Sequence, residues 1–317
     1  MQSMKPADSA TRFDVAGLGE ALIEFNQTLP GQPQYLQGFG GDTCNAVIAA
    51  VRQGARGAYL TRVGDDAFGR QIVDLLRAEN VDTSGVVVDP DTYTGLYFVQ
   101  HGPEGHVFSY MRGDSAAARM KPVMLAHGLV EQSRFLHVSG ISLAISAGAC
   151  DTVFAAIARA RSAGTQVSLD SNLRLRLWPL DRARAILREA LCLADLFLPS
   201  MDDMRHVTGH EDPYQTLDWI RRAGARGVVA LKLGKEGAVL DDGVSRTLVP
   251  GRAVQAVDAT GAGDCFAGSL LARRCLGDDW LAAVRYANVA AGLSTLGYGA
   301  VAPLPTPEQV KAALAAG

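Results

Sequence analysis

The sequence predicts an α/β fold: a mainly parallel central sheet with helices on both faces, and a small β-sheet beside it. Short apolar, β-rich runs alternate with longer helical patterns, as in successive β–α–β units. Two β-prone, turn-rich stretches interrupt that alternation. With 317 residues, 48% of them hydrophobic, the chain has apolar side chain enough for a large core.

In chain order, strands are expected over Phe13 to Phe25, Gly57 to Val63, Phe135 to Ser139, Val167 to Asp170, Leu196 to Pro199 and Gly227 to Leu233. Helices are expected over Asp66 to Glu79, Ala147 to Ser162 and Pro213 to Ala223. In the first of these, Phe68, Ile72, Leu75 and Leu76 fall on one face. Ligands of such sheets sit beyond the carboxyl ends of the strands. The interruptions are residues 24–38, with Pro30, Gly31 and Pro33, and residues 94–112, which read as two arms around the turn Gly102-Pro103-Glu104-Gly105. The aromatics Tyr97, Phe98, Phe108 and Tyr110 on those arms favour a β lid that packs over the main sheet. Residues 1–12 read as a flexible leader without the apolar stretch of a signal peptide. Residues 13–317 read as one domain carrying the lid.

Composition excludes several functions. Thirty Lys and Arg against 33 Asp and Glu give a net charge of −3, without the basic footprint of a nucleic-acid binder. No apolar run reaches the length of a membrane span, and no basic amphipathic stretch suggests a membrane surface. The five cysteines (Cys44, Cys150, Cys192, Cys265 and Cys275) are odd in number and contain no CxxC pair. That argues against a disulfide framework and a structural zinc, and implies a reducing, cytoplasmic setting. His101, His106 and His137 lack metal-ligand spacing, and Cys265 reads as a packing residue.

The chemistry concentrates in Val257-Asp258-Ala259-Thr260-Gly261-Ala262-Gly263-Asp264, which opens the helical run Cys265 to Leu276. Glycines let the backbone approach a ligand, and unpaired N–H groups at a helix start attract anions. An isolated aspartate there is most often an N-cap. Beside a phosphate cradle, however, a carboxylate can take the proton of an attacking hydroxyl. The chain has no GxxxxGK[ST] element, so the cradle is not a P-loop. Gly17-Leu18-Gly19-Glu20-Ala21-Leu22 is only part of a GxGxxG dinucleotide fingerprint.

The run DATGAGDCFAGSLLA closely resembles the C-terminal signature of the PfkB, or ribokinase-like, carbohydrate kinases. Gly38-Phe39-Gly40-Gly41-Asp42-Thr43-Cys44-Asn45-Ala46 is similar to the family's N-terminal GG-x-x-x-N element. The resemblance spans nearly the whole chain, from Phe13 to about Pro307, and implies a three-layer α/β/α core. It implies that Asp264 is the general base and that the amides of Gly261, Ala262, Gly263 and Asp264 form an anion hole. Gly41, Asp42 and Asn45 would contact the sugar, with Gly41 allowing a close approach. Lys232, Gly234, Gly237, Thr260, Gly261, Gly263 and Asn288 would line the ATP site. Ser200 and Asp203 stand where the family usually has N-x-x-E, so Mg²⁺ is expected to reach the protein through water and ATP rather than by direct ligation.

Within the family, Thr94-Gly95-Leu96-Tyr97-Phe98, Phe108-Ser109-Tyr110-Met111-Arg112 and Asp170-Ser171-Asn172-Leu173-Arg174 resemble 2-keto-3-deoxygluconate kinases. A sugar acid brings a carboxylate, which arginine recognises through paired donors. Arg112 and Arg174 are the candidates, with Tyr97 and Tyr110 offering hydroxyls and ring faces. Arg176 is expected to point elsewhere. The alternatives are another PfkB sugar kinase, acting on fructose, ribose or a related keto-deoxy acid, and a non-catalytic sugar sensor of the same fold. Exposed lid strands imply a homo-oligomer, a dimer or higher, formed through the lid.

Overall fold

Strands buried on both faces read as continuous apolar runs, and the first strand is buried at every position. A computed structural model describes residues 11–27, 29, 31–102 and 105–316. Its first half runs β1 (Phe13–Leu18), β2 (Leu22–Asn26), β3 (Leu36–Gly40), α1 (Asp42–Arg52), β4 (Gly57–Gly64), α2 (Ala67–Ala78), β5 (Asp82–Asp89), β6 (Leu96–Gly102), β7 (Gly105–Met111) and β8 (Ser133–Ser139). It continues with α3 (Gly140–Ala144), α4 (Ala147–Ala163), β9 (Gln166–Asp170), α5 (Leu180–Leu193), β10 (Leu196–Leu198), α6 (Met201–Thr208) and α7 (Pro213–Arg222). Then follow β11 (Val228–Lys232), β12 (Gly237–Asp241), β13 (Arg246–Pro250), α8 (Ala262–Cys275), α9 (Trp280–Ser294) and α10 (Pro307–Ala315).

Among the described residues these strands form two sheets. The larger has nine, in the order β13-β12-β11-β10-β9-β8-β1-β4-β5. From β11 to β5 all neighbours are parallel, while β12 runs antiparallel to both β11 and β13. One face buries Leu136, Val138, Leu169 and Leu231 with α4, α5 and α7, and the other buries Val15, Leu198 and Ala230 with α1, α8 and α9. The helices carry the stop and start signals that make them local units. Asp66 caps α2 by accepting from the Gly69 N–H at 2.7 Å. Ser146 caps the start of α4, and left-handed Gly164 ends it.

The two interrupting stretches pair with each other. β3-β2-β6-β7 make a separate four-stranded sheet, antiparallel except for the β2–β6 pair. Thr28, Pro30, Pro103 and Glu104 of those stretches lie outside the described residues, as do residues 1–10 of the expected leader. Thr11 is buried and the Arg12 N–H bonds the Gln132 carbonyl at 2.9 Å, so the last two leader residues belong to the fold.

The single strand expected over Phe13 to Phe25 is two strands in different sheets. At Gly19 a Cβ would meet Thr43 Oγ1 at 2.3 Å and Ser142 Oγ at 2.6 Å. Crowding by α1 and α3 turns the chain out of the main sheet there and into the lid.

The contact that positions the site is the packing of α1 on α8. A Cβ at Gly268 would lie 2.0 Å from the Ala46 carbonyl oxygen, a backbone atom. Gly268→Ala is therefore expected to destabilise the fold by about 2 kcal/mol or more through overpacking. Gly113→Ala, where a Cβ meets nothing within 4 Å, should stay within about 0.5 kcal/mol of the parent. Denaturant midpoints of the two variants check this.

Candidate active site

A cleft of ≈ 1070 Å³ lies beyond the carboxyl ends of β1 and β8 to β11, roofed by the inner face of the lid. This is where chain order reverses about β1 and β8 in the sheet, the place a doubly wound fold leaves open.

Two helices point their N-termini into it, and neither has a side-chain cap. In α8 the Ala262 N–H is spent on the Ala259 carbonyl at 3.2 Å. The N–H groups of Gly261, Gly263 and Asp264 have no acceptor among the described residues, so three of the four amides that the resemblance implies are open. In α1 the first donor used is Asn45, bonded to the Gly41 carbonyl at 2.8 Å. Unsatisfied donors and the helix dipole together favour negative charge in the cleft. Gly41 has φ 112°, and a Cβ there would lie 2.1 Å from the Glu20 carbonyl oxygen. A glycine is thus required by the backbone itself, a different reason from the close sugar approach expected of it.

The α1–α8 contact carries Asn45 to Asp264, where its Nδ2 donates to Oδ2 at 2.8 Å. Burial pushes the Asp264 carboxyl up to about 8, aided by Asp42 and Asp170 and opposed by the Asn45 bond and Lys232. Lys232 Nζ is 2.5 Å from Asp170 Oδ2 and would be 3.4 Å from a Cβ at Gly263. Its ammonium therefore stands beside the turn. Asn172, held at φ 28°, donates Nδ2 to Asp42 Oδ2 at 2.9 Å, while its N–H bonds Asp170 Oδ1 at 3.2 Å. Asp42 Oδ1 and Asn45 Oδ1 are buried without a hydrogen-bond partner. Orphaned acceptors beside a cleft are the natural partners of ligand hydroxyls.

At the lid end, Tyr97, Tyr110 and Arg112 all line the cleft, as does Arg174 from the loop after β9. The Tyr97 hydroxyl is already committed to Glu24, so Tyr97 offers a ring rather than a hydroxyl. It stacks on Tyr110 with centroids 5.5 Å apart. Arg112 lies 5.1 Å from the Tyr110 ring centroid and pairs with Glu20 at 2.5 Å. Nη2 of Arg112 is thus held by Glu20, and its Nε has no acceptor among the described residues. Arg174 is exposed, donates Nη1 to the Leu173 carbonyl at 2.8 Å, and has no acidic partner among the described residues. Arg176 does not point away: it lines the cleft and ties the loop to the lid by donating to the Phe108 carbonyl at 2.9 Å.

At the other end, Lys232, Gly234, Thr260, Gly261 and Gly263 line the cleft, whereas Gly237 and Asn288 do not. Asn288 spends its Nδ2 on the carbonyls of Val249 and Pro250, at 2.9 and 3.2 Å, holding β13 to α9. A Cβ at Gly237 would meet the Val249 carbonyl oxygen at 2.2 Å, so that glycine serves the β12–β13 contact. Ser200 caps α6 by accepting from the Asp203 N–H at 3.1 Å, and Asp203 Oδ2 accepts from Ser171 Oγ at 2.6 Å. Both face the cleft. Among the described residues no cluster of three His, Cys, Asp or Glu could hold a metal. Donors at two helix ends and Lys232 fit a polyphosphate, with a divalent ion held mainly by phosphate oxygens and water.

Sequence reading missed Glu20, Asp170 and Asn172, which line the cleft, and Glu24, which holds the Tyr97 hydroxyl. Asn172 had a signal, since asparagine tolerates the left-handed region. Glu20 had none, because a carboxylate directly after a strand is ordinary until its burial is known. Cys265 is fully buried in α8 and its thiol is pushed up to about 12, which leaves it no nucleophilic role. His137 is buried, bonded to Ser168 Oγ at 3.1 Å, and pushed down to about 4.

The model of the pfkB family carbohydrate kinases matches residues 12–307. The chain belongs to this family. It is 34% identical over 324 residues to the 2-dehydro-3-deoxygluconokinase of Thermoproteus tenax, covering 99% of this chain and 98% of that one. Among solved structures, it matches fructokinase from Vibrio cholerae O395 in its fructose, ADP and calcium bound form, with 32% identity and a TM-score of 0.86, covering 96% and 99% of the two chains. A protein from E. coli in complex with ATP and Mg²⁺ matches at 26% identity and a TM-score of 0.88, with the same coverage. The protein is thus a carbohydrate kinase of ribokinase-like fold. No described helix is long and apolar enough to cross a membrane.

Because Asp264 holds its proton more tightly when folded, its ionisation opposes folding. With an ordinary value of 3.8 raised to about 8, that penalty is absent below about pH 4 and grows until about pH 8. Asp264→Asn should therefore melt at a higher temperature than the parent at pH 8, with the advantage shrinking toward pH 5. Equal melting temperatures at both values would show that the carboxylate ionises at no cost.

Proposed function

We propose that the protein phosphorylates the terminal hydroxyl of 2-keto-3-deoxygluconate, giving 2-keto-3-deoxy-6-phosphogluconate. The observation that carries the reading is the lid end of the cleft. Arg174 has no acidic partner there among the described residues, Arg112 Nε has no acceptor, and both stand near the Tyr110 ring. A sugar acid's carboxylate fits guanidinium groups of this kind, and the orphaned oxygens of Asp42 and Asn45 suit its hydroxyls. The likeness to the Thermoproteus tenax enzyme supports the same choice. A neutral sugar is the second reading, favoured by Glu20, which offsets the charge of Arg112, and by the fructose-bound neighbour.

ATP supplies the phosphoryl group, with Mg²⁺ offsetting its charge. The Asp264 oxygen not bonded to Asn45 takes the hydroxyl proton as the sugar oxygen bonds the γ-phosphorus. The bond from that phosphorus to the β–γ bridging oxygen breaks, and ADP leaves. The N–H groups of Gly263 and Asp264 and the Lys232 ammonium stabilise the charge that develops. The Tyr97 and Tyr110 rings and the rest of the lid keep water from the reacting hydroxyl. The five cysteines, none of them in a disulfide, suit the cytoplasm. The lid's edge strands β3 and β7, with exposed Leu36 and Met111, suit pairing with a second copy. Light scattering should give at least a dimer.

ADP release with 2-keto-3-deoxygluconate, fructose and ribose tests the substrate. Asp264→Asn should lower kcat by about 10²-fold or more, as for a lost general base, while ATP still binds. Arg174→Met should raise KM for the sugar acid by about tenfold or more and leave that for fructose unchanged. Selectivity for a neutral sugar in the parent would overturn the substrate and keep the kinase.

A further inference from the structure

Glu20 follows β1 directly and is 2% exposed, yet it lines the cleft. Its Oε1 accepts from Ser115 Oγ at 3.3 Å. Its Oε2 lies 2.5 Å from Arg112 Nη2 in a buried ion pair, and no other donor reaches that oxygen among the described residues. Around the same cleft, Asp42 Oδ1, Asn45 Oδ1 and Arg112 Nε have no hydrogen-bond partner among the described residues. Each such atom costs stability in the empty protein, and together they form a template with three acceptors and one guanidinium.

A ligand that satisfies it has several hydroxyls and an acidic or carbonyl end. Tyr97 cannot serve Glu20, since its hydroxyl goes to Glu24. Ser115 is fully buried behind Glu20 and is already used. A carboxylate oxygen accepts more than one donor, so Oε2 can take a ligand hydroxyl beside Arg112.

We propose that Glu20 is a specificity-determining residue of the sugar site: its Oε2 accepts a substrate hydroxyl while its charge holds Arg112 by Nη2 and leaves Nε for the acidic end of the same molecule. Glu20 and Arg112 then read a hydroxyl and an acid group together, at a set distance. A site that hydrogen-bonds a substrate hydroxyl rejects analogues lacking it far more strongly than an apolar pocket does. The Arg112 half rests on the sugar-acid reading above, whereas the Glu20 half holds for any polyhydroxylated acceptor.

The test is steady-state kinetics of the parent, Glu20→Gln and Glu20→Asp with saturating Mg-ATP and each of 2-keto-3-deoxygluconate and fructose. Glu20→Gln keeps the shape and loses the charge. Glu20→Asp keeps the charge but draws the oxygen back by one methylene, and it provides a folded variant should Glu20→Gln be unstable. Melting temperature and KM for ATP report on folding. The expected result is a KM for the parent's preferred sugar raised about tenfold or more in both variants, with kcat within about threefold and KM for ATP unchanged. A sugar KM unchanged in either folded variant overturns the proposal and leaves the sugar-acid reading standing. A parent that prefers fructose overturns the sugar-acid reading and with it the Arg112 half, and the Glu20 half is then judged by the same criterion on fructose. A fall in kcat without a change in KM overturns it as well, since that is how a residue acting through Asp264 would behave.

Discussion

The cleft is organised around a carboxylate that the fold makes expensive to ionise. Asp264 stands at the start of α8 with Asp42 and Asp170 close enough to oppose its charge and only Asn45 and Lys232 to favour it. The geometry follows from that constraint. Asn45 reaches Asp264 because α1 packs on α8 at backbone distance, and the approach is possible because Gly268 has no side chain. Lys232 cannot be given wholly to Asp264, because Asp170 holds it at 2.5 Å. The pair stands by the open N–H groups of α8, where a polyphosphate is welcome.

The neighbouring carboxylates are themselves held by a small set of bonds. Asn172 joins two of them, taking Asp42 with its side chain and Asp170 with its backbone. Asp258, below the turn, accepts from the N–H and hydroxyl of Thr260 with one oxygen, and from the Gly299 N–H with the other. A turn fixed from beneath keeps its open amides at the cleft, and donors held that way need no reorganisation to meet negative charge.

The sequence made the architecture legible because each strand and helix is locally consistent. β4, β8, β9, β10 and β11 fall where apolar runs stop at turn residues, and α2, α4 and α7 begin at Asp66, Ser146 and Asp212 caps. The Phe13 to Phe25 run failed because its interruption comes from outside, from α1 and α3 pressing on Gly19. In the site, Asp264 and its turn were legible as a glycine-rich helix start. Asn288 and Gly237 were not, because whether an amide or a glycine serves a ligand or a neighbouring strand is decided by β13, far along the chain. Glu20 was hidden for the same reason: its partners Arg112 and Ser115 are more than ninety residues away on the chain.

In the function proposed above, part of the sugar's recognition would come from the lid hairpin, whereas the transfer would be confined to the start of α8. Tyr97 and Tyr110 stand on the β6–β7 hairpin and Arg112 directly follows it, whereas Asp264 and its amides open α8. The hairpin is fastened along β2 by the β2–β6 pairing and the Phe25–Phe98 stack, and to the loop after β9 by the Arg176 bond to the Phe108 carbonyl. Such a division lets the rim of the cleft drift apart from its floor: a lineage can vary Tyr110 and its neighbours on the hairpin while the turn at α8, buried under its own packing constraints, stays as it was.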